Sequence, residues 1–118
     1  MEEINKIILE KIQKKIEMKD LLNMFYDIGE CILKNNIDLK ELELYLKNIY
    51  DISIVFTKRN LKNMVKLYNN YDKNKLKELE QYDWIRVIQK LNNKEINNYV
   101  NNDILIELNE LKNRCNML

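Results

Sequence analysis

Apolar residues recur along the first third of the chain in steps of three to five. They run Ile4, Ile8, Ile12 and Ile16, then Leu21, Phe25, Ile28 and Ile32. This spacing lays one apolar stripe along one side of a helix. No proline interrupts it, so the pattern predicts a single long helix over about residues 3–34, ended by Asn35-Asn36. Asp38 is placed to cap a second helix with Leu39, Leu42, Leu46 and Ile49 inward. Asp51 to Phe56 lacks helical character, and its β-branched Ile52, Ile54 and Val55 favour extended backbone. A clear helix start follows. Thr57 is a good N-cap, and Phe56 and Leu61 occupy the two positions of a hydrophobic staple. Leu61, Met64, Tyr68 and Tyr71 continue at helical spacing.

Three shorter helices are predicted after that. One covers about Lys73 to Gln81. Asp83 caps the next, which carries Trp84, Val87, Ile88 and Leu91. A third runs from about Lys94 to Asn101. Asp103 caps a final helix with Ile104, Leu105, Leu108 and Leu111 inward. The Asn-rich stretches Asn92-Asn93, Asn97-Asn98 and Asn101-Asn102 mark helix ends and short loops. The expected fold is all-α, a compact bundle of about six helices. It has a long N-terminal helix and a helix-turn-helix-like central pair, and residues 1–118 form one domain.

Composition changes this picture little. The chain has no histidine, alanine or proline, one glycine, and abundant Lys, Asn and Ile. That bias is what an AT-rich genome produces. The lone Gly29 falls inside a predicted helix, where it costs about 1 kcal/mol relative to alanine. In so glycine-poor a chain it predicts another helix crossing closely at that point. Met1-Glu2-Glu3 is acidic where a signal peptide would be basic and then apolar, and no run reaches the ~18 to 20 apolar residues of a membrane span. The expectation is a cytoplasmic protein without a membrane partner, in which Cys31 and Cys115 are core or surface thiols rather than a disulfide.

Several chemistries are missing from the sequence. Without histidine there is no imidazole acid–base catalyst or metal ligand. The cysteines lack metal-binding spacing, one glycine cannot build a phosphate-cradling loop, and the single Ser53 has no base. Carboxylates are numerous, but most lie on predicted exposed faces beside lysines. The expectation is a non-enzyme with no cofactor and no metal.

Charge is distributed unevenly. Residues 57–77 hold seven Lys and Arg and one acid, whereas the flanking blocks are net negative, in a chain of net charge +1. Such a basic block is the footprint of phosphate contact. Lys58 and Arg59 occupy a first helical turn, where the macrodipole disfavours cations and where a recognition helix meets DNA. The candidate nucleic-acid contacts are Lys58, Arg59, Asn60, Lys62, Asn63, Lys66 and Lys73. A solvated lysine face explains the same residues without any ligand. Tyr68, Tyr71 and Trp84 are core residues or, less economically, stacking platforms for bases.

Two segments carry a resemblance. Phe25-Tyr26-Asp27-Ile28-Gly29 with Ile32 is similar to the aromatic-aromatic-x-Ile-Gly-x-x-Ile signature of the YhcG-like family. Phe56-Thr57-Lys58-Arg59-Asn60-Leu61 with Met64 and Tyr68 resembles that family's Phe-Ser-x-Arg-Asn-Leu-x-x-Met-x-x-x-Tyr motif. Trp84 and Tyr99 fall where the family has Trp-Ser-His and a later Tyr; Arg86 replaces the His, and the family's Trp-Gly before the second helix is absent. The resemblance covers about residues 20 to 100. It implies the family's N-terminal helical, DNA-binding-like domain without the PD-(D/E)XK nuclease domain, so nuclease activity is not carried over. Three functions follow as expectations. The first is a helix-turn-helix-like module binding DNA or RNA. The second is a protein-binding adaptor or inhibitor of a nucleic-acid-processing protein, such as a phage or mobile-element inhibitor of a bacterial defence nuclease. The third is a structural oligomer, such as a homodimer, driven by the first helix.

Overall fold

In the computed structural model, residues 1–12, 18–92 and 101–116 are described. They form six α-helices and one 3-10 turn, with no strand among the described residues. Helix α1 spans Glu2–Ile12, α2 Met18–Lys34, α3 Leu39–Tyr50, α4 Lys58–Asn70, α5 Trp84–Asn92 and α6 Asn101–Asn116; the 3-10 turn is Lys75–Leu79. A radius of gyration of 13.4 Å matches the ~13 Å of a compact domain of about this length.

The expected long first helix is instead two helices lying side by side. The Cys31 thiol donates to Glu3 Oε2 at 3.5 Å. In one straight helix these residues, 28 apart, would be separated by about 42 Å. The periodicity is continuous because both helices turn an apolar stripe to the same core. Ile4, Ile8 and Ile12 of α1 are buried with Leu21, Leu22, Phe25, Ile28 and Ile32 of α2. Helical period reports the face of each helix but not whether the chain folds back between them.

Asn36 ends α2 in the left-handed region with φ 50°, and the Ile37 N–H donates back to the Ile32 carbonyl at 3.0 Å. This is the six-to-one bond of a Schellman-type stop, with asparagine in the position glycine usually takes. Asp38 caps α3 through the N–H groups of Lys40 and Glu41. Leu42 and Leu46 are buried as expected, but Ile49 is exposed and Tyr50 takes the inward place. The Tyr50 hydroxyl donates to Asn5 Oδ1 at 2.9 Å, and Asn5 Nδ2 donates to the Tyr45 hydroxyl at 2.7 Å. That pair of bonds ties α3 to α1 and gives the buried end of Tyr50 the polar partner a phenol needs.

The central crossing is α2 on α4. A Cβ placed on Gly29 would lie 2.2 Å from the Met64 carbonyl oxygen and 2.7 Å from its carbon. Backbone meets backbone here, so only glycine fits, as its position in a glycine-poor helix led us to expect. Around this point Phe25 meets Trp84 with ring centroids 4.6 Å apart, and Tyr26 meets Tyr68 edge-on at 5.1 Å. Downstream, the expected helix from Lys73 to Gln81 is shorter and tighter, the 3-10 turn Lys75–Leu79. Asp83 caps α5 through the Arg86 N–H at 2.8 Å. The helix expected over Lys94–Asn101 lies largely outside the described residues. Helix α6 begins at Asn101, two residues before the expected cap, and buries Ile104, Leu108 and Leu111.

Replacing Gly29 with alanine will test the crossing. In an open helix the change gains about 1 kcal/mol. Here it forces two backbones apart, and we expect a net loss of about 1–3 kcal/mol, typical of overfilled cores, measured by urea unfolding. A stabilised variant would show that the helices separate freely.

Candidate nucleic-acid interface

Helix α4 follows the non-helical stretch 51–57, and three side chains hold that start in place. Thr57 Oγ1 accepts from the Asn60 N–H at 3.1 Å, the predicted N-cap. Glu43 of α3 places a carboxylate oxygen on the Lys58 N–H. An anion is therefore already seated at this helix end, which answers how a first turn holding Lys58 and Arg59 tolerates its macrodipole. The third anchor comes from far along the chain. Glu107 of α6 is 9% exposed, and its carboxylate accepts the consecutive N–H groups of Ser53 (3.4 Å), Ile54 (3.0 Å) and Val55 (2.9 Å). Successive backbone N–H groups form a concavity suited to an anion, and here a side chain of the same protein fills it. Residues 51–56 thus stay non-helical because their donors are satisfied elsewhere, beyond the extended preference of Ile52, Ile54 and Val55.

Asn60 and Asn63 were candidate contacts; the structure places both inside. Asn60 is 1% exposed. Its Nδ2 donates to the Val55 carbonyl at 2.6 Å and its Oδ1 accepts from Trp84 Nε1 at 2.7 Å. Both halves of the amide are used, and Trp84 is likewise withdrawn from any stacking role, being fully buried. Asn63 accepts from Asn92 Nδ2 at 3.2 Å. Lys66 is half-buried, and its ammonium donates to Asn92 Oδ1. Asn60, Asn63 and Lys66 therefore bind α4 to α5. Helix spacing explains this: residues three apart are neighbours on a helix, and 60, 63 and 66 follow one another along the side of α4 that meets α5.

The cations that remain outward are Lys58, Arg59 and Lys62 on α4, with Lys73, Lys75 and Lys77 beyond its end, all exposed. Lys73 lies 3.7 Å from Asp27 Oδ1. The other five have no carboxylate within ion-pair distance among the described residues. Burial raises the Asp27 carboxyl above its usual range, although Lys73, the next largest influence, pulls it down. Burial, followed by the Glu3 carboxylate, likewise pushes the Cys31 thiol up; this free cysteine is buried and poorly placed to react. Among the described residues, no three carboxylates or thiols gather where they could hold a metal, and no helix is long and apolar enough to cross a membrane.

Sequence reasoning missed Glu43 and Glu107. Glu107 had one visible signal, an acid among the inward positions Ile104, Leu108 and Leu111. Glu43 had none, because only the fold brings it to this region. No family model, curated protein or solved structure matches this chain.

Two measurements test this part of the structure. Asn60→Ala leaves the Trp84 indole N–H and the Val55 carbonyl without their partner, and we expect a loss of roughly 1–3 kcal/mol for each group left unpaired, read by chemical denaturation; a loss below half that would mean water replaces the amide. The second concerns pH. Asp27 holds its proton more tightly in the folded state, so its contribution favours folding below about pH 3.9, the unfolded carboxyl value, and is lost as pH rises through the higher native pKa. Asp27→Asn should therefore raise the melting temperature at neutral pH, with the gain shrinking as the solution is acidified through that window. A gain that is the same at all pH values would assign the effect to something other than the charge.

Proposed function

We propose that this chain is a non-enzymatic nucleic-acid-binding module that grips the phosphate backbone through the outward ridge of α4. The observation that carries this reading is a set of exposed cations, Lys58, Arg59, Lys62, Lys75 and Lys77, without an ion-pair partner among the described residues, in a chain whose net charge is only +1. Evenly mixed surfaces usually pair such charges off; a segregated cluster attracts polyanions. The resemblance to the helical domain of the YhcG-like family supports the same reading, since that domain is described as DNA-binding-like. The absence of histidine from the sequence fits a module that binds without catalysis.

The geometry refines the contact. With Asn60 and Asn63 buried and Glu43 on the first N–H of α4, the helix offers charge but few groups suited to base edges. Its recognition is of phosphate, which positions a nucleic acid without reading its sequence. A second reading, an adaptor docked on an acidic groove of a nucleic-acid-processing protein, draws support from α3. There Leu44 and Ile49 stand exposed on the same helix that carries Glu43, a mixture that suits a protein partner better than a polyanion.

A gel shift with duplex and single-stranded DNA across a salt series separates these readings. We expect binding that falls steeply with salt, is abolished by Lys58→Glu with Arg59→Glu, and loses about one unit of salt slope in Lys62→Ala. Thr57→Ala serves as the opposite control, costing about 1 kcal/mol of stability with little change in affinity. Intact binding after the double charge reversal would remove α4 as the contact. No binding at low salt would favour the adaptor.

A further inference from the structure

Beyond the C-terminal end of α4 the surface opens into a cleft of about 520 Å³, lined by Asn70, Tyr71, Lys75, Glu78, Lys90 and Leu91. Its walls come from three elements: the last turn and C-cap of α4, the 3-10 turn and the end of α5. The volume falls within the ~300–1,000 Å³ of small-molecule sites. Its chemistry differs from that of the α4 ridge. Two ammonium groups, Lys75 and Lys90, share it with one carboxylate, Glu78. Neither lysine has an ion-pair partner among the described residues. Lys90 is also held in place, its Nζ 4.5 Å from the centroid of the Tyr82 ring, a cation–π contact that keeps the charge at the cleft.

Tyr71 is half-buried and packs against the core while lining this opening. Leu91 adds a second apolar wall. Asn70 spends its Nδ2 on the Lys66 carbonyl at 2.7 Å, and its Oδ1 accepts no hydrogen bond among the described residues. An aromatic residue beside fixed cations is how single strands are held: a base takes the π face and its phosphate takes the charge. A duplex cannot use such a cleft, because its bases are stacked away inside the helix. A bare inorganic anion would leave the apolar walls unused.

We infer that the cleft takes one unstacked nucleotide of a single strand, its base against Tyr71 and Leu91 and its phosphate between Lys75 and Lys90. The inference rests on the phosphate-gripping role proposed for α4 and names its preferred nucleic acid. The 13 residues of α4 span about 20 Å, so one strand can follow the ridge from Lys58 to the cleft.

Fluorescence anisotropy with a short oligothymidylate, a duplex of equal length and thymidine monophosphate provides the test. The wild type should bind the single strand more tightly than the duplex. Tyr71→Leu should weaken single-strand binding about 5- to 150-fold, the worth of one base stack, and leave duplex binding unchanged, while Tyr71→Phe keeps both. Lys90→Gln, at an exposed position outside the set assigned to the α4 grip, should lower the single-strand salt slope by about 0.7 and leave the duplex slope unchanged; it carries the test if Tyr71→Leu does not fold. Thymidine monophosphate that binds as tightly as the oligomer would make the cleft a free-nucleotide pocket and overturn the assignment to a strand. If both sets of cleft variants bind as the wild type does while Lys58→Glu with Arg59→Glu abolishes binding, the cleft inference falls and the function of α4 stands. If the wild type binds neither strand form, both fall.

Discussion

The contact between Gly29 and Met64 sets the distance at which α2 and α4 cross, and most of the interior is arranged around it. With backbone against backbone, the side chains on either side must interlock at close range. That is where Phe25 reaches Trp84 and Tyr26 reaches Tyr68. Helices usually lie 8–10 Å apart because side chains hold them there; removing one side chain lets α4 sink into the bundle. A sunken α4 can expose only a narrow ridge, so the same constraint that builds the core limits what the basic helix can present. It leaves Lys58, Arg59 and Lys62 outside and turns Asn60 and Asn63 inward.

The start of α4 is then fixed by polar groups rather than by apolar burial. Thr57, Glu43 and Glu107 each satisfy donors that a helix start or an irregular segment leaves open. Asn60 joins the segment before α4 to Trp84 of α5 with one amide, which makes it a hub of the fold rather than a contact for ligand. Networks of this kind are strong when every member is satisfied, and Asn60 meets its partners at 2.6 and 2.7 Å.

Much of this was legible in the chain. The helix starts at Asp38, Thr57 and Asp83 were readable because capping is local chemistry within four residues. Gly29 was readable because glycine is costly in a helix and rare here. The reversal between α1 and α2 was not, since both helices show the same period. The exchange of Ile49 for Tyr50 was not, since the choice depends on Asn5, about 45 residues away in sequence. For the candidate interface, the cluster of charge was visible as composition, but its division into outward Lys58 and Lys62 and bonded Lys66 depends on Asn92 of α5. Of the residues in the two segments singled out in the sequence, Phe25, Gly29, Asn60, Leu61 and Met64 are buried, with Gly29 and Met64 meeting at the crossing, whereas Arg59 is exposed.

Glu107 has a consequence for how the molecule is made. The backbone donors it satisfies lie 52 to 54 residues earlier in the chain. A ribosome releases the basic helix well before the carboxylate that clasps the segment leading into it, and domains assemble as their parts emerge. Until α6 arrives, that segment is an open row of N–H groups with no anion to hold. The segment leading into the basic helix thus takes its final shape only after residue 107 has been made.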